Sequence, residues 1–110
     1  MKTEEKIRDL QESEQTLQQI LIQKQTFQAQ LLEIEAAQEE MKKSEEVYKF
    51  VGNILVKSKR EDVEKELSEK NETILLRIKN IEKQEEKLSE KIKNLREEIL
   101  RGIEQKKDKK

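Results

Sequence analysis

Stepping alternately by three and four residues gives Leu10, Ser13, Leu17, Ile20, Lys24, Phe27, Leu31, Ile34, Gln38 and Met41, and seven of these ten positions are apolar. The surrounding sequence is rich in Glu, Gln, Lys, Leu and Ala, all good helix formers. A 3.5-residue repeat held this long without a slip marks a coiled-coil seam, since an ordinary amphipathic helix is shorter and has a wider apolar stripe. A first helix is expected over 3–45. The same stepping later reads Leu67, Asn71, Ile74, Ile78, Ile81, Glu85, Leu88, Ile92, Leu95 and Ile99, eight of ten apolar and the stronger seam. A second helix is expected over 59–104, with Ser58 as N-cap and Glu61 reaching back three residues later in a capping box. Gly102 is expected to loosen its end. Residues 105–110, with Lys106 to Lys110, read as a basic tail, either a solvating end or an element steering the chain toward an acidic partner.

Between the helices the period changes. Val47-Tyr48-Lys49-Phe50-Val51 and Ile54-Leu55-Val56-Lys57-Ser58 are β-prone runs flanking Gly52-Asn53, a two-residue hairpin signal. Glycine at the first central position permits the positive φ of a type II′ turn. A hairpin is therefore expected over 46–58, with Val51 opposite Ile54 and Phe50 opposite Leu55 on the other face. Lys49 and Lys57 interrupt each face once, so the ribbon is apolar both ways. An isolated two-stranded hairpin is marginal in water, and its open edges invite further pairing. The plainer reading is that the chain's own helices cover it. Helices running away from the open end cannot cover both faces and both edges, which favours strands from other subunits and predicts an oligomer built here.

Two seams of similar length flanking a symmetric hairpin predict an antiparallel coiled coil. Residues whose numbers add up to about 105 should lie side by side, so that Leu31 meets Ile74, Phe27 meets Ile78 and Leu17 meets Leu88. Lys24 and Glu85 then fall within about one turn of each other and are candidates to pair. Two readings fit the polar seam positions Lys24 and Gln38. Buried polar residues set register; alternatively they mark a loosely packed seam whose long side chains reach water. The second is preferred for Gln38, and Lys24 stays open. A parallel dimer of separate chains is the competing architecture, and it would leave the hairpin without a purpose.

Composition narrows the possible functions. A length of 110 residues makes the chain one structural unit, 1–110, and its composition of 45% charged, 32% hydrophobic and 3% aromatic leaves too little apolar material for a sizeable core. A formal charge of −1 offers no basic excess for nucleic acid. There is no Cys, no His and no Pro. Disulfides and thiolate metal sites are ruled out, in keeping with a reducing cytoplasm, and nothing forces a break in the helices. No run approaches the roughly 20 apolar residues that span a bilayer, and the start is not a signal peptide. The two glycines are too far apart for a phosphate loop, and glutamates on a solvated helix face have no cleft to perturb them. Catalysis is not expected, and no cofactor or metal is called for.

Helix, single hairpin, helix in about 110 residues resembles the β-type subunit of the prefoldin family. The hairpin carries the resemblance, its run Val47-Tyr48-Lys49-Phe50-Val51-Gly52-Asn53-Ile54-Leu55-Val56-Lys57 being similar to the family's tyrosine-to-Val-Gly turn and Leu-Val-Lys return strand. The Gln-rich stretch Gln18 to Gln30 and the Glu/Lys-rich stretch Ile78 to Ile99 match the family's arms, so the whole chain is covered. The α type inserts two hairpins and the β type one, and 46–58 holds one. Low aromatic content, absence of Pro and abundant Glu/Lys resemble the archaeal β subunit.

The resemblance implies a hexamer of two α and four β subunits, whose hairpins form an intersubunit β-barrel from which six coiled coils hang around a cavity. It makes Val47, Tyr48, Phe50, Val51, Gly52, Ile54, Leu55 and Val56 assembly residues. It makes the far ends of the arms, at Ile7, Leu10, Ile99, Leu100 and Ile103, the tips that hold non-native proteins and pass them to a group II chaperonin without ATP. Leu100 and Ile103 lie beside the seam, where exposed apolar side chains suit weak, unselective binding; the alternative is that they are ordinary end-of-helix seam residues. A coiled-coil scaffold or spacer without client-holding activity is the rival function.

Overall fold

The computed structural model describes residues 2–108, with side chains described for 2–105, so that part of the expected basic tail (the side chains of 106–108 and all of Lys109 and Lys110) lies outside the described residues. The order is α1 (Thr3–Lys43), β1 (Val47–Val51), β2 (Ile54–Ser58) and α2 (Arg60–Asp108). The chain divides into two units, Gln25–Lys79, which contains the hairpin, and Met1–Lys24 with Asn80–Lys110, which contains both helix ends far from it in sequence.

In each unit the helices pack antiparallel along the expected seams. All ten seam positions of α1 and all ten of α2 are buried or half-buried, and Ile74, Ile78, Ile81, Ile92, Leu95 and Ile99 are the buried apolar side chains of α2. α1 contributes only Met41 and Ser13 at that depth, as expected of the seam with more polar interruptions. Cross-helix contacts set the direction. Lys6 reaches Glu98 at 3.6 Å, and Arg96 reaches Glu14 at 2.9 Å. In the hairpin unit Asn71 donates to Gln38 at 3.4 Å, and the Arg77 guanidinium stands 5.7 Å from the Phe27 ring centroid. Lys24 does pair with Glu85, donating to both carboxylate oxygens at 3.2 and 3.3 Å.

The hairpin forms in the expected register, Val51 opposite Ile54 and Phe50 opposite Leu55, and continues to Val47 opposite Ser58. Gly52 has φ 64° and no other residue has positive φ among those described, which fits a II′ turn with glycine first. A Cβ at Gly52 would meet nothing within 4 Å, so glycine is required there by backbone conformation, not by space.

Three expectations at the helix ends are corrected. Ser58 is not an N-cap: it is the last rung of β2, and its hydroxyl donates to the Val56 carbonyl at 3.3 Å. The first helical bond runs from the Val63 N–H to the Lys59 carbonyl, so Lys59 holds the cap position and Glu61 and Asp62 supply the acidic first turn. Ser58 belongs to the strand, as the expected hairpin bounds already had it, and the helix starts at Arg60, one residue later than expected. α1 ends at Lys43, not 45, where Ser44 donates through its N–H to the Met41 carbonyl and through its hydroxyl to that of Glu40.

Gly102 does not loosen α2, which runs on through it to Asp108 and takes in the first residues expected as tail. A Cβ on Gly102 would lie 3.2 Å from the Thr3 hydroxyl oxygen. Gly102 is thus a seam position, one step beyond Ile99, where missing side-chain bulk lets the start of α1 come close.

Candidate functional site: the exposed hairpin and the helix ends

The hairpin stands almost uncovered. Val47, at the end next to the helices, is buried, but Phe50 is 72% exposed, Ile54 66%, Val51 58% and Leu55 55%. Val51 and Ile54 share one face and Phe50 and Leu55 the other, so apolar surface points both ways, as strand alternation requires. The chain's own helices therefore do not cover the ribbon. Both backbone edges are also free within the chain, because the sheet has two strands.

Polar contacts hold the ribbon in place without covering it. Lys49 in β1 donates to Glu66 in α2 at 2.7 Å. That hydrogen bond holds the Glu66 carboxyl below its ordinary value of 4.5; desolvation opposes it, and the charges of Lys49 and Lys70 act in the same direction as the bond. Tyr48 donates to Glu46 at 2.7 Å, which raises the phenol, and Lys57, opposite Tyr48 in the ladder, lies 3.8 Å from the same carboxylate. The lysines that interrupt each face are thus tied to carboxylates and leave the apolar side chains as the available surface.

At the other ends of the helices the five expected tip residues separate into two groups. Ile99 is buried and Leu10 half-buried in the seam. Ile7 (39% exposed), Ile103 (43%) and Leu100 (60%) stay open, which leaves three of the five as surface.

A regularity in the off-seam positions escaped the sequence reading. With Leu10 and Asn71 each set as heptad position a, the exposed large apolar residues of the unit holding the helix ends are Ile7, Leu21 and Ile103 at e, Ile22 at f and Leu100 at b. In the hairpin unit they are Leu32 at b, Leu75 at e and Leu76 at f. Within each unit they lie on the e side, none at g or c. Antiparallel packing puts e beside e and g beside g: Glu14 and Arg96 pair at e, Asp9 and Lys91 at g. Each unit therefore has one apolar-studded flank and one polar flank. The signal was present in the 3-4 stepping, had the residues beside the seam been read as well as those in it.

Among the described residues no group of His, Cys, Asp or Glu is placed to hold a metal ion, and no helix is long and apolar enough to cross a membrane. A groove of about 530 Å³, lined by Glu33, Glu66, Lys70 and Arg77 among others, is an open furrow beside the seam of the hairpin unit.

Comparison with known proteins agrees with this geometry. A family model described as "Prefoldin subunit" matches residues 4–106. The chain belongs to the prefoldin family. Prefoldin subunit beta of Archaeoglobus fulgidus is 45% identical over 96 residues, covering 84% of this chain and 83% of that protein. Its counterpart in Pyrococcus furiosus is 39% identical over 97 residues, covering 86% and 83%. The crystal structure of the prefoldin beta subunit from Thermococcus strain KS-1 superposes with a TM-score of 0.83 at 36% identity, covering 88% of both chains. The single hairpin between two long helices is thus the prefoldin β architecture, archaeal in its relatives. The chain is a prefoldin-type chaperone subunit, and the prefoldin family is not one of enzymes.

Proposed function

We propose that four copies of this chain assemble with two α-type subunits into a cytoplasmic hexamer that captures non-native proteins at its coiled-coil tips and delivers them to a group II chaperonin without ATP. In this reading the hairpins close into a shared β-barrel, with Val51, Ile54, Phe50 and Leu55 as its packed residues and Tyr48, Gly52 and Val56 completing the ladder and turn. The observation that carries it is the ribbon exposed on both faces. A barrel pairs every strand edge and buries at least one face, which no hairpin on a lone coiled coil can do. A scaffold or spacer needs the helices but has no use for such a ribbon.

Client capture draws its support from Ile7, Leu100 and Ile103, apolar side chains left open at the helix ends. Scattered singly among charges, they suit brief contacts with many sequences better than one tight contact. Several tips acting on one client raise avidity without a strong single site.

The test is light scattering from a chemically denatured client diluted into buffer with the purified complex of this chain and its α partner. The expected result is suppressed aggregation with no nucleotide present, unchanged by added ATP, and transfer of the client when a group II chaperonin is added. Aggregation that proceeds as in buffer alone contradicts the client-holding role and leaves the scaffold reading.

A further inference from the structure

The seam contains a charged cluster that the chaperone function does not use. Lys24 is 3.2 Å from Glu85 and 3.7 Å from Glu82, with the Lys24 and Glu85 side chains only 20% and 23% exposed. In the other unit, Asn71 donates to Gln38 between the helices at 3.4 Å. Lys24 and Gln38 are 14 positions apart in α1, and Asn71 and Glu85 are 14 apart in α2. Two heptads therefore separate the polar interruptions in each helix, so one antiparallel alignment satisfies both pairs at once.

Other alignments lose this match. A slip of one heptad in either direction would set Lys24 beside Ile78 or Ile92, and Glu85 beside Leu17 or Leu31. Either slip leaves unpaired charges against apolar side chains, which is costly. In-register parallel pairing of two copies of α2 would oppose Glu85 to Glu85, and of two copies of α1 Lys24 to Lys24. Such pairing is a real competitor for α2, whose seam is rich in isoleucine at both a and d, the composition that favours self-associated bundles. A chain with exposed hairpins brings other copies close, so the competitor is present at high local concentration.

We infer that Lys24, Glu82 and Glu85 form a pairing lock in their unit, as Gln38 and Asn71 do in theirs, and that each commits α1 to α2 of its own antiparallel hairpin in a single register and excludes α2–α2 association. The lock selects the partner helix. Apolar residues in its place would hold the helices together more tightly but less selectively.

The full-length chain can be tested with its own side chains, because Lys6–Glu98 and Lys91–Asp9 are contacts that a zero-length carbodiimide can join. Isotopically heavy and light chains are mixed, unfolded, refolded together, cross-linked and analysed by mass spectrometry. Wild type is expected to give these two links within single chains. The variant Lys24→Ile with Glu85→Ile is expected to melt several degrees higher, yet to show a severalfold rise in heavy–light links between α2 segments or in links displaced by a heptad. A variant that melts higher and keeps the wild-type links unchanged would overturn the lock and make the pair a tolerated interruption. Lys24→Glu, which sets three carboxylates together, is expected to melt lower and to recover when Glu82→Lys and Glu85→Lys are added. A melting temperature unmoved by Lys24→Glu would equally count against the lock.

Discussion

Replacing Val51 and Leu55 together by lysine is expected to reduce the assembly to small species while leaving the helices folded. The two positions lie on opposite faces of the ribbon, one in each strand, and both are more than half exposed in the single chain. Neither touches the seam, so the lone subunit loses almost nothing. In an assembly their burial is worth about 1.5–3 kcal/mol each. A lysine left there brings a further desolvation cost of several kcal/mol unless it reaches water. If four such hairpins share one barrel, as proposed, the effect multiplies, and the shift in mass on gel filtration or mass photometry should be close to complete. Far-UV circular dichroism at unchanged amplitude is the necessary control. A double variant with wild-type particle mass would show that the exposed ribbon is not the assembly surface.

Serine at Ile7, Leu100 and Ile103 together should abolish protection of denatured clients and leave the complex intact. All three are exposed beside the seam, and Ile99 and Leu10, which the seam buries or half-buries, are not altered. If each tip loses about 2 kcal/mol of apolar contact, its affinity falls roughly thirtyfold. In the proposed capture by several tips at once, the loss compounds and falls mainly on residence time. Removing the tips altogether, before about Leu10 and after about Leu95, should have the same consequence. Full protection by the serine variant would move the binding surface elsewhere, and the apolar-studded flanks carrying Leu21 and Ile22 or Leu32, Leu75 and Leu76 would be the next place to substitute.

The parts of this fold that follow from a repeating pattern were legible in the sequence. All twenty seam positions chosen by 3-4 stepping are buried or half-buried, because a coiled coil buries side chains chiefly by period. The hairpin register followed from one glycine, since a two-residue turn fixes every rung. The misreadings arose where the answer depended on residues distant in sequence. Gly102 looked like a helix breaker because its neighbours say nothing of Thr3, which lies against it. Ser58 had the sequence of a cap, but a last rung opposite Val47 claimed it for the sheet. The separation of the tip residues into seam and surface was already implied by the register, which puts Ile99 at a and Leu100 at b.

Native mass spectrometry on a tagged copy of this chain, purified from its own cell, tests the proposed hexamer. The expected result is a complex of four copies of this chain with two copies of a longer partner. A dimer of this chain alone, with no second kind of subunit, would contradict it.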